Sequence, residues 1–74
     1  MTKEQVIKNY VETVFSTTDM KVTKDYFAKL VEVALTSNGV IFNAAIAEIY
    51  VVVGYSSVTI AAHKVSMLRK MIDE

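Results

Sequence analysis

Between Asn38 and His63 the chain carries one formal charge, that of Glu48. The stretch holds two apolar runs, Val40-Ile41-Phe42 and Ile49-Tyr50-Val51-Val52-Val53. A segment of that length could span a bilayer. Asn43 and Glu48 lie inside it, and Gly54-Tyr55-Ser56-Ser57 interrupts it. A carboxylate at mid-membrane costs about 2.5–3.5 kcal/mol on insertion scales. Two buried helices joined by a turn avoid that cost, so a membrane is not the expected partner.

The 74 residues suit a single domain over 1–74. With 53% hydrophobic residues and no net charge, the chain does not have the composition of a disordered one. It contains no proline and two glycines, too few for a turn-rich β-barrel or sandwich. Without cysteine there is no disulfide framework and no thiolate metal site. Met1-Thr2-Lys3-Glu4-Gln5 has neither an apolar core nor a small-residue cleavage site of the secretory kind, so a cytoplasmic location is expected.

Helical periodicity dominates. Thr2 and Gln5 stand at capping-box spacing before Val6, Ile7, Tyr10, Val11, Val14 and Phe15, one stripe of a first helix over 2–15. Thr23 is a good N-cap, Asp25 suits the first turn, and Phe27, Leu30, Val31, Ala34 and Leu35 continue a second helix to about Ser37. Asn38-Gly39 stops it. Val40-Ile41-Phe42 then reads as a short extended piece, a strand candidate at 40–42, with Asn43 as the cap of a third helix that Gly54 ends. Residues 49–60 also have the propensities of a β-hairpin. Helix is preferred, because a two-stranded hairpin would leave its continuous apolar run half exposed. Ser56 or Ser57 caps a fourth helix over 56–72, whose core stripe is Val58, Ala61, Val65, Leu68 and Ile72. The expected fold is all-α, a compact four-helix domain.

Little in the residues supports catalysis. His63 is the only histidine, and no carboxylate spacing converges on it. Ser56 and Ser57 lie within two turns of His63 but suit a cap better than a nucleophile. No glycine-rich phosphate cradle exists. Neither an enzyme, a metal, a cofactor nor a small-molecule substrate is expected.

At about 100° per residue, the side of the fourth helix opposite its core stripe collects Ser56, Thr59, His63, Ser66 and Lys70, with Met67 beside them. Short polar groups ending in a cation suit base edges and phosphate in a DNA major groove. The order of elements adds to this. A helix, a short extended piece, the helix around Ile46-Ala47-Glu48-Ile49, the turn Gly54-Tyr55-Ser56-Ser57 and the helix from Val58-Thr59 together resemble helix-turn-helix DNA-binding domains. Over about residues 26–72 the chain is similar to a winged helix without its wing. The resemblance implies a small transcription regulator, of the size found in phage and plasmid regulators. Helix 56–72 would then be its recognition helix, and Ser56, Ser57, Thr59, His63, Ser66 and Lys70 its DNA-binding residues.

Lys64 flanks that face, and Lys21, Lys24 and Lys29 add charge if they fold nearby. A homodimer is expected, since a two-fold pair doubles every contact and matches a palindromic site. The stripe of helix 1, Val6, Tyr10 and Val14 with Ile7 and Val11, could pack on its own chain or on a symmetry mate. The alternative is a helical protein–protein interaction module, an inhibitor or adaptor, with Tyr10, Phe15, Tyr50 and Tyr55 as anchors.

Overall fold

A computed structural model describes residues 1–73 and contains four helices: α1 (Lys3–Thr17), α2 (Lys24–Thr36), α3 (Gly39–Val53) and α4 (Val58–Asp73). No strand occurs among the described residues. Both parts of the Thr2 capping box form. The Gln5 amide donates to Thr2 Oγ1 at 3.2 Å, and the Thr2 amide donates to Gln5 Oε1 at 3.1 Å. Thr23 Oγ1 caps α2 by accepting from the Tyr26 amide at 3.1 Å.

The strand candidate at 40–42 is helical. Asn38, not Asn43, is the N-cap of α3, and its carbonyl accepts from the Phe42 amide. The reason lies in Gly39, which adopts φ +63°. In that left-handed conformation the chain reverses within one residue, leaving no room for an extended piece. Gly54 closes α3 with φ +78°, and its amide donates to the Tyr50 carbonyl at 3.0 Å. Residues 49–60 therefore form helix, turn and helix rather than a hairpin. Ser57 caps α4, its Oγ accepting from the Ile60 amide at 3.2 Å.

All four helices contribute to one core. Val6, Tyr10, Val11 and Val14 come from α1, and Phe27, Val31, Ala34 and Leu35 from α2. Ala45, Ile46 and Ile49 come from α3, and Ala61, Val65 and Leu68 from α4. Phe27 sits at the centre, fully buried, with Tyr10 and Phe15 packed beside its ring at centroid distances of 5.7 and 6.0 Å. Val58 departs from its expected core position and is 48% exposed. It is the first residue of α4, one turn before the first core contact at Ala61. Ile72 is half-buried at the other end.

Two polar devices fasten the helices. The Tyr10 and Tyr55 hydroxyls share a short hydrogen bond, tying α1 to the turn before α4. Burial, and then that bond, hold the Tyr10 phenol well above its ordinary pKa. Arg69 of α4 donates through one guanidinium nitrogen to the Ala34 carbonyl at 2.7 Å and to the Ser37 carbonyl. Its guanidinium also lies 4.8 Å from the centre of the Phe42 ring. One arginine thus satisfies carbonyls left open at the end of α2 and clamps α3.

No single helix among the described residues is long and apolar enough to cross a membrane. Of the aromatic residues named as anchors, Tyr10 is buried, and Phe15, Tyr50 and Tyr55 are half-buried with part of each packed against the core. In the stripe of α1, Val6, Tyr10, Val11 and Val14 are buried within their own chain, and Ile7 and Phe15 are half-buried.

Candidate nucleic-acid interface

The turn Gly54–Ser57 separates α3 from α4, and the two helices meet at 109°. Its shape follows from the two caps. The left-handed Gly54 ends one helix, and Ser57 starts the next three residues later. Helix-turn-helix pairs cross at about 90–120° through turns of 3–4 residues that often contain glycine.

Thr59, His63, Ser66 and Lys70 are all exposed on α4. Their spacing of four, three and four residues lines them up in one row about 16 Å long. Ser56 is exposed in the turn, at the head of that row. Ser57 does not belong to it. The residue is half-buried and its hydroxyl is engaged as the cap.

The row has a neighbouring edge of which the sequence reading named Met67 and Lys64 but missed Ile60 and Met71. Ile60, Met67 and Met71 are exposed beside it, with Lys64 among them at the same helical spacing. The Lys64 ammonium lies 5.9 Å from the centre of the Tyr10 ring. Counting the outward side chains of α4 after removing Ala61, Val65 and Leu68 would have revealed this apolar edge.

Charge is unevenly divided along the chain. From Gly54 to Ile72 the ionic residues are Lys64, Arg69 and Lys70, with no carboxylate among them. Arg69 is turned inward, so Lys64 and Lys70 are the cations α4 offers. Lys24 and Lys29 do not join them. They line an open groove of about 460 Å³ between α1 and α2, floored by Ile7, Val11 and Ala28. Lys29 there meets Glu32 at 3.3 Å, and with Lys3 it holds that carboxyl below its ordinary pKa. The groove rim mixes both signs of charge, and no group of three or more metal-ligating side chains converges among the described residues.

Glu48, the lone charge of the apolar stretch, is half-buried and accepts a long hydrogen bond from the Tyr26 hydroxyl at 3.5 Å. Comparison of the chain with protein-family models, with curated proteins and with solved structures finds no match.

Proposed function

We propose that this protein is a small DNA-binding regulator that lays α4 in the major groove. The observation that carries the reading is the pairing of α3 and α4 at 109° through a four-residue glycine turn, with an outward row free of carboxylates. The chemistry of the row suits the task. Hydroxyls of Thr59 and Ser66 both donate and accept, the His63 imidazole reaches base edges, and Lys70 meets phosphate. Ile60 and Met67 offer apolar contacts for thymine methyl groups.

A second reading, a helical interaction module without nucleic acid, rests on the apolar residues exposed on α3. Titration against a random duplex pool at low and moderate salt separates the two. Lys64 and Lys70 supply two phosphate contacts per copy, so log K should fall with log salt at a slope near −2, or about −4 for a dimer. Lys70→Glu should weaken binding to every sequence, and Thr59→Ala should alter preference among sequences. Absence of binding at low salt, or binding indifferent to both changes, would overturn the proposal.

A further inference from the structure

A row along the outward side of α3 is apolar from end to end, with exposed Asn43 on one flank. Val40 is 84% exposed and Val51 69% exposed, with exposed Ala44 and Ala47 between them. Ile41, 61% exposed, lies on the flank. This is not the result of loose packing. The accessible surface, 4724 Å², is close to the roughly 4,600 Å² expected for a folded monomer of this mass. The chain closes its core as well as others of its size and still leaves this row outside.

We infer that the row is the contact surface for a second copy of the chain, packed antiparallel through α3. The residues of the row carry the argument. Val40, Ala44, Ala47 and Val51 follow at four, three and four residues, the spacing of any helical stripe, but here the residue types also read the same in both directions. A two-fold axis through the middle of α3 sets Val40 of one copy against Val51 of the other, and Ala44 against Ala47. Large side chains close the ends while small ones at the centre let the helices approach. In an isologous interface residue i meets j and j meets i, and here each such pair joins side chains of one kind.

Charge agrees with the inference. The row itself carries none, so its repetition across a two-fold brings no like charges together. Glu48 borders the row on the α2 side, half-buried, with its carboxylate accepting from the Tyr26 hydroxyl.

Area sets the strength. α3 is 15 residues long, about 22 Å, and a stable dimer buries about 1,200–2,000 Å² in total. One helix row falls short of that. Tyr26, 48% exposed, and half-buried Leu30 and Val33 widen the surface along α2, around a shallow apolar hollow of about 200 Å³. The contact belongs at the small end of specific interfaces, and the dimer should dissociate in the micromolar range.

The inference does not depend on DNA binding, and its test uses no nucleic acid. Sedimentation equilibrium of the whole chain from about 5 to 500 µM should show the mass rising from 8.3 kDa toward twice that value. Ala47→Glu sets a carboxylate at the centre of the row in both copies and should weaken association about tenfold or more. Ala47 is exposed and glutamate is a good helix former, so circular dichroism should be unchanged.

Orientation can be read separately, because the native chain has no cysteine. A mixture of Val40→Cys and Val51→Cys chains should cross-link on oxidation more than either alone. A monomer at every concentration, a dimer indifferent to Ala47→Glu, or cross-linking no better in the mixture would each overturn the antiparallel α3 pair.

Discussion

The two C-terminal helices solve the same packing problem and present opposite surfaces. α3 buries Ala45, Ile46 and Ile49, and α4 buries Ala61, Val65 and Leu68. Each also carries an exposed row at spacings of four, three and four residues. On α3 the row is Val40, Ala44, Ala47 and Val51. On α4 it is Thr59, His63, Ser66 and Lys70. A helix packed on one side of a small core needs only one apolar face. α4 follows that pattern along this row, whereas α3 is apolar on both sides. Core packing therefore leaves Val40, Ile41, Ala44, Ala47 and Val51, five of the twelve apolar side chains of α3, without a partner inside the chain.

The sharpest way to break this comparison is to truncate both faces of α3. Ile49 is fully buried, and Ile49→Ala removes core contacts that the neighbouring helices cannot replace. It should cost about 2–5 kcal/mol in urea unfolding. Val51, two residues on, points away from the core. Val51→Ala should change monomer stability by no more than about 0.5 kcal/mol, measured at low concentration so that self-association does not contribute. Similar losses at the two sites would mean that the outer face of α3 is covered within its own chain.

A second contrast lies within α4, between adjacent residues of like charge. Arg69 donates to two carbonyls at the end of α2 and stacks on Phe42, while Lys70 is exposed. Arg69→Ala leaves those carbonyls without their partner and should lower stability by about 1.5–3 kcal/mol. Lys70→Ala should leave the unfolding midpoint almost unchanged and act only on duplex binding. If Lys70→Ala destabilises as much as Arg69→Ala, the outward row is part of the scaffold and not a free surface.

Much of the fold was legible because periodicity and caps report local chemistry. The Thr2 box, Thr23, Gly54 and a serine before α4 all fall where short-range hydrogen bonding needs them. The outward row of α4 was legible for the same reason, since 3.6-residue spacing fixes which side chains share a face. One error was local: Val40-Ile41-Phe42 has strand propensity, yet the left-handed Gly39 starts the helix before it. Elsewhere tertiary context decides. Tyr10, Phe15, Tyr50 and Tyr55 have the composition of anchors, and only packing shows that Tyr10 is buried while the other three are shared between core and surface. The exposed face of α3 was hidden because a stretch with one charge gives no polar side from which to orient a wheel. Arg69 marks the limit of local reading. Its partners lie 32 and 35 residues away, beyond any helical period.

The turn between the two helices gives the smallest effect and tests how their angle is set. Gly54 holds φ +78° with open space around the position a Cβ would take. Gly54→Ala therefore meets no neighbour, and its cost is conformational, about 1–2 kcal/mol for an L-residue held left-handed. Asparagine tolerates that region better, so Gly54→Asn should lose less than Gly54→Ala in the same unfolding measurement. This ordering separates backbone strain from crowding. A loss well above 2 kcal/mol for Gly54→Ala, or a larger loss for the bulkier asparagine, would mean that α3 and α4 approach more closely at the turn than its open surroundings indicate. The 109° crossing would then depend on side-chain contact at the turn. The expected order instead makes the angle a property of two caps, with Gly54 ending α3 and Ser57 starting α4, so that the two rows keep their relation as long as those caps hold.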